Sequence, residues 1–380
     1  MNSPVYLNAI YSISALGYSS DEVWKNLQSG TPKFKWYNQQ NVAVSKLSDE
    51  QNKCLDTLSY SRKRYADLDR SVLMAIAAVR GLAKQIDDLP KTCGINIGSS
   101  RGATEHFEKA HKAFITNGEV PFATSPTTTL GNIASNAAQD LGLKGPAISH
   151  SITCSSALHA LLNGYAFLKS GLLSDFIVGG AEAPLTQFTI EQMKVLKLYS
   201  KLNDNYPCRS LDFNKTENTL VLGEAACLAH ISSRPVEGAI RIAGIGYATE
   251  QISHSISLSA EAECLQKSMR MALQNANHDA VDVVIMHAPG TVKGDQSELE
   301  AVKHVFEELP ALTTNKWQIG HTFGASGAMS LEMGVLMLKH NTFISNPFFS
   351  NESIPNDIQS VIVNAVGFGG NAVSVILEKS

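Results

Sequence analysis

Cysteine is sparse and scattered in this chain. The six, Cys54, Cys93, Cys154, Cys208, Cys227 and Cys264, include no C-x-x-C pair and no regular spacing, so neither a zinc site nor a disulfide framework is indicated. Charge is scarce as well. Only 17% of the 380 residues are charged and the net charge is -4, which leaves little positive field to hold nucleic acid or an anionic membrane. Met1 to Gly17 lacks the basic start and apolar core of a signal peptide, so the expected location is the cytoplasm. The longest charge-free stretch, Gly145 to Leu168, is broken by His150, Cys154, His159, Asn163 and several serines, and reads as strand, turn and helix rather than a membrane span. His106 and His111 share a polar helical stretch with Glu105 and Glu108, but no recognised ligand spacing links them; solvated side chains, not a metal site, are expected.

What is present is a large apolar fraction, 44%, enough at this length to fill a sizeable interior. Short runs rich in Val and Ile recur at Val5 to Ile10, Thr92 to Ile97, Ala147 to Thr153, Phe176 to Gly180, Leu220 to Ile231, Ala239 to Ile245, Val281 to His287, Val361 to Ala365 and Ala372 to Leu377. Such runs fit strands buried on both faces. Between them, Val23 to Leu27, Leu68 to Ile86, Ser156 to Leu168, Ala260 to Gln274, Asp295 to Phe306 and Gly324 to Leu338 carry apolar residues at helical spacing. The alternation predicts an α/β fold with layered sheets. A turn-rich break at Ser232 to Gly238 divides the chain into lobes 1–235 and 236–380. Each lobe contains an apolar strand running into a small-residue turn and a helix, once at Cys154 and once at His321.

Three segments have chemical promise. Thr153-Cys154-Ser155-Ser156-Ala157 places a thiol where a helix begins, and the dipole end and free N–H groups there favour thiolate and stabilise an oxyanion. The alternative is a small buried cysteine beneath a helix. Gly320-His321-Thr322-Phe323-Gly324 allows close backbone approach around an imidazole that donates to a developing oxyanion, or that is a satisfied structural histidine. Gly367-Phe368-Gly369-Gly370 is either a mobile turn that swings an aromatic ring or a plain hairpin. Its spacing does not match a phosphate-cradling loop.

In this order the segments resemble the β-ketoacyl synthase family, and the likeness spans nearly the whole chain. Val5 to Gly17 and Asp21 to Gly30 are similar to the family's first strand and W-x-x-L helix, and Phe176 to Glu182 to its V-x-G-G-x-E strand. Arg209 to Asp212 resembles R-P-F-D, and Leu222 to Ala225 resembles L-G-E-G-A. Lys316 and His321 stand at the spacing of K-x-x-x-G-H, and Gly367 to Gly370 matches the terminal G-F-G-G.

The resemblance implies a thiolase-like fold with two related lobes in a layered α-β-α-β-α core, and a role in fatty acid or polyketide chain elongation. Cys154 would accept an acyl group from acyl carrier protein, and the backbone N–H groups of Cys154 and Phe368 would form the oxyanion hole, with Phe368 gating entry. His321 would polarise a carbonyl, Lys316 would orient it, and Glu298 would pair with Lys316. No cofactor is implied beyond the phosphopantetheine that carries the substrate. The pattern breaks at His287-Ala288-Pro289-Gly290-Thr291, where the family has N-A-H-G-T and Pro289 stands in place of the first catalytic histidine. Proline carries no ionisable side chain and no backbone N–H, so decarboxylative condensation should be severely impaired. The following loop is shortened, and Val292-Lys293 replaces the S-T that helps hold the phosphopantetheine arm. His287, two residues upstream on the same strand face, is the possible substitute. Two readings follow: an acyltransferase with an altered triad, or a non-condensing subunit similar to a chain-length factor that pairs with a complete ketosynthase and shapes its acyl tunnel. Family members are dimers, so a homodimer or heterodimer is implied, with bacterial aryl-polyene and related polyketide systems as the setting.

Overall fold

The computed structural model describes residues 3–251 and 258–380. The first half runs β1 (Val5–Ser14), α1 (Ser20–Gln28), a small hairpin of β2 (Lys35–Tyr37) and β3 (Val42–Val44), α2 (Asp49–Ser61) and α3 (Arg70–Ala83). It continues with β4 (Gly94–Gly98), α4 (Thr104–Asn117), α5 (Thr124–Thr128), α6 (Asn132–Leu141), β5 (Ala147–His150), α7 (Ser156–Lys169), β6 (Asp175–Glu182), α8 (Gln187–Val195) and β7 (Ala225–Ser232). The second half runs β8 (Ile240–Thr249), α9 (Glu263–Ala276), β9 (Val283–Ile285), α10 (Val292–Val305), β10 (Ala311–Thr313), α11 (Lys316–Ile319), α12 (Ser326–His340), β11 (Ser360–Gly367) and β12 (Asn371–Lys379).

Strand pairing repeats between the halves. The first gives the order β1-β7-β6-β4-β5 and the second β8-β12-β11-β9-β10. In each, the first strand runs antiparallel to the last, that strand runs antiparallel to the next, and the remaining pairs are parallel. Pairing of Val5 to Leu7 with Ile240 to Ile242 joins the two at one edge.

Alternation along the strands separates three apolar regions. Phe176 and Val178 of β6 and Val361, Val363 and Ala365 of β11 face a central core shared by α7 and α12. Ile177 and Ala181 face α3 and α6 on one outside. Ile362 and Val366 face α9 and α10 on the other. The result is the layered α-β-α-β-α core of a thiolase-like fold. Every residue of α12 from Ser326 to Leu338 is buried, as befits a helix enclosed by sheets on two sides.

Two departures from the sequence-based reading bear on the site. The run Leu220 to Ile231 is strand only from Ala225, because Leu220 and Leu222 make isolated bridges to Tyr199 and His321 instead. Apolar composition alone does not distinguish a sheet strand from backbone withdrawn to hold a neighbour. Strand β10 escaped notice because it is three residues long, yet it pairs with β9 and leads directly to α11.

Candidate active site

Cys154 lies in the turn between β5 and α7. Thr153 adopts φ +47, and the turn is tied by the Ser156 hydroxyl, which accepts from Ile152 N (2.9 Å) and donates to Thr153 O (2.6 Å). The glycine-rich turn between β11 and β12 closes over it. A Cβ at Gly367 would come within 1.9 Å of Thr153 Oγ1 and 3.1 Å of Cys154 N, so only glycine permits this approach. Thr153 Oγ1 donates to Phe368 O at 3.3 Å, which fixes Phe368 beside the cysteine. The segment is a hairpin: β11 and β12 pair up to Gly367 and Asn371, and the half-buried Phe368 sits at the tip.

His321 occupies the equivalent junction of the second half, between β10 and α12. Gly320 has φ +66, and a Cβ there would meet Val221 O at 2.5 Å. The segment that precedes β7 grips the histidine from both sides, with His321 N donating to Val221 O (2.7 Å) and Gly223 N to His321 O (3.1 Å). The His321 ring meets Phe323 edge-on at 5.4 Å. Phe323 in turn packs in one apolar cluster with Cys154, Ile190, Met193, Tyr199 and Leu222. Through Phe323 the two halves of the chain converge on a common site.

His287 joins them. Its ring lies 5.1 Å from that of His321 in a T-shaped arrangement, so the position two residues before Pro289 reaches the same place. The Pro289 ring packs instead toward Gly294 in the first turn of α10. Two carboxylates one helical turn apart on α10 hold this loop. Glu298 accepts from the backbone N–H groups of His287 and Ala288, each at 2.8 Å, and from Asn364. Asp295 accepts from Gly290 N at 2.9 Å and from the buried Lys215 at 2.7 Å.

The expected pairing of Glu298 with Lys316 is corrected here. Glu298 spends its oxygens on backbone N–H groups and no ion pair joins it to Lys316, which acts on it only through its charge. Lys316 is fully buried at the start of α11, and burial lowers its pKa to about 8 despite the opposing fields of Glu298 and Asp295. Burial also drives His287 and His321 well below the usual imidazole range, reinforced by Lys316, so both rings are neutral at pH 7. Neither Nδ1 has a hydrogen-bond partner. The thiolate expected of Cys154 is corrected as well: burial and then Glu182 push the thiol up to about 12, against the smaller pull of Lys316 and Arg101. Desolvation outweighs the helix end.

Sequence reasoning overlooked Glu182 as a member of the site. It accepts from Ser99 Oγ (3.1 Å), Ser100 N (2.5 Å), Arg101 N (3.2 Å) and Gly324 N (3.0 Å), clamping the loop after β4 to the turn after His321. Its signal was an acid ending a strand that is otherwise buried and apolar. Arg101, Gln192 and Phe323 were overlooked too. Away from the site, His106 and His111 lie on α4, where the His111 ring stacks on Phe107. Among the described residues no group of three or more His, Cys, Asp or Glu is arranged to hold a metal ion, and no helix is long and apolar enough to cross a membrane.

The family model for the β-ketoacyl synthase N-terminal domain matches residues 3–233, and that for the C-terminal domain matches 240–349. The chain belongs to the β-ketoacyl synthase family. Similar curated β-ketoacyl synthases include the 3-oxoacyl-[acyl-carrier-protein] synthase 2 of Staphylococcus aureus strain N315, 25% identical with 100% of this chain and 99% of that protein covered. The protein of the same description from Coxiella burnetii is 26% identical over 99% of this chain and 98% of its own. Among solved structures, a β-ketoacyl synthase from Burkholderia phymatum aligns with a TM-score of 0.87 at 21% identity, all of both chains covered. A ketosynthase of Xenorhabdus doucetiae in complex with its chain length factor aligns with 0.84 at 22%, covering 100% of this chain and 98% of that one. At these identities the two structures establish a shared fold.

Proposed function

We propose that Cys154 accepts an acyl group from acyl carrier protein, in the service of fatty acid or polyketide chain elongation. The observation that carries this reading is the convergence of a thiol at the N-terminus of α7, two neutral imidazoles and the Phe368 turn in one buried site. Cys154 Sγ attacks the thioester carbonyl; the new C–S bond forms, the bond to phosphopantetheine sulfur breaks, and the departing thiol leaves with the proton. The N–H groups of Cys154 and Phe368 take the oxyanion. His321 donates to a carbonyl, Lys316 orients it by its field, and Glu298 serves by fixing the loop that carries His287. Pro289 donates nothing, so condensation by the isolated chain is weak, lower by about 10²–10⁴-fold than with a full acid–base set. His287 supplies the remaining donor. No metal or nucleotide is required; the substrate arrives on the carrier's phosphopantetheine.

A second reading, a chain-length-factor-like subunit, is favoured by the exposed apolar side chains of the first half. This terminal strand of the ordered sheet lies in the half whose α4–α5 segment exposes Phe107, Phe114, Ile115, Val120 and Phe122, whereas β10 at the opposite end is buried and bonded to Asn351. A terminal strand and exposed apolar side chains in the same half fit a second ketosynthase-family chain. Incubation with hexanoyl carrier protein followed by peptide mass analysis tests the primary reading. A hexanoyl increment on the Cys154 peptide, absent in Cys154→Ala, supports it; an unmodified peptide overturns it. Product that forms only when a complete ketosynthase is added and co-purifies would favour the second reading.

A further inference from the structure

Arg101 stands beside the thiol without a task in the chemistry above. Its backbone N–H donates to Glu182 Oε1, so the start of the residue is anchored independently of its charge. The guanidinium lies over the Phe323 ring, 5.3 Å from the centroid, and Nη1 donates to Gln192 Oε1 at 2.6 Å. Gln192 belongs to α8, between Ile190 and Met193, which pack with Cys154 and Phe323 in the apolar cluster. The charges of Arg101 and Cys154 act on each other.

Among the described residues no carboxylate forms an ion pair with Arg101. The nearby Glu182 is already committed to four donors. The fields of Glu182 and Glu108 reach the half-buried guanidinium, but neither carboxylate pairs with it directly, so its fork is left to meet an incoming anion. A guanidinium has five N–H donors, and the ordered protein contact uses only one. Stacking on Phe323 and the bond to Gln192 hold the fork in one orientation, as anion recognition requires.

We propose that Arg101 is a specificity-determining residue that selects an acyl group with an anionic far end, a short dicarboxylic chain carried as a thioester. The distal carboxylate pairs with the guanidinium while the thioester carbonyl meets Cys154 Sγ. Bond making and breaking are as in simple acyl transfer, and the distal carboxylate is unchanged. This inference rests on Cys154 as the acyl acceptor, so its test has an arm that does not.

Alkylation of Cys154 by iodoacetate and by iodoacetamide, followed on the Cys154 peptide by mass spectrometry, compares an anionic with a neutral reagent at the same thiol. The iodoacetate-to-iodoacetamide rate ratio should fall by about tenfold in Arg101→Gln and be partly kept in Arg101→Lys. In the second arm, glutaryl-N-acetylcysteamine should acylate the wild-type chain faster than the pentanoyl thioester, with that preference lost in Arg101→Gln. Equal alkylation ratios in wild type and Arg101→Gln, or faster pentanoyl transfer to the wild type, would overturn the proposal. A fall in the alkylation ratio with no thioester from either donor would support the anion site and sink the acceptor reading instead.

Discussion

Glu332 illustrates how burial sets chemistry at the residue scale. It sits midway along α12, 1% exposed, and neither carboxylate oxygen has a hydrogen-bond partner; the neighbouring Ser12 hydroxyl, which offsets the effect a little, is unpartnered too. Burial raises its pKa to about 7 from the ordinary 4.5. The folded state therefore holds a proton that the unfolded state has lost, and stability contributed at this residue declines as pH rises from 4.5 to about 7, levelling off above. The slope reaches at most about 1.4 kcal/mol per pH unit. Urea unfolding of the wild type and Glu332→Gln between these limits should give curves that diverge, the variant gaining relative stability with pH; parallel curves would show that Glu332 is not held protonated. The same desolvation explains why the state of Cys154 was misjudged from sequence. A helix N-terminus is visible in the pattern of residues, whereas the depth at which Val42, Val44, Ile190 and Tyr199 bury the thiol depends on segments distant in the chain.

At the scale of elements, the site is an agreement between turns. The strand-to-helix turns at Cys154 and His321 were legible because small residues and glycine interrupt apolar runs at both places. The bond from Thr153 to Phe368, the grip of Val221 and Gly223 on His321 and the four donors to Glu182 were not, because each joins residues far apart in sequence. Gly367 is the sharpest test of this arrangement. Gly367→Ala drives a methyl group into Thr153 Oγ1, so the turn carrying Phe368 must retreat from Cys154. Acylation of Cys154 is expected to fall by about 10²-fold, the usual scale for an ångström of misplacement in a reacting pair, with the far-UV circular dichroism of the wild type retained. Unaltered acylation would mean that the turn does not set the geometry of the thiol.

Across the whole molecule, two matching five-strand arrangements each lead from a terminal strand, β5 or β10, to one part of the site, and Phe323 links Cys154 with His321. The fold class could be read from the alternation of buried runs and amphipathic helices, while the shared strand order could not, since β10 and β9 are three residues each. Cys154, Lys316, His287 and His321 share this site, and His287 rather than Pro289 lies beside the His321 ring. In the function proposed above, the chain takes up an acyl group and discharges it poorly without help. Time-resolved mass analysis of the isolated chain, treated first with hexanoyl carrier protein and then with malonyl carrier protein, tests this directly. The prediction is a hexanoyl group that appears on the Cys154 peptide and persists after malonyl addition; a peptide never acylated, or one cleared promptly by malonyl carrier protein, would contradict it.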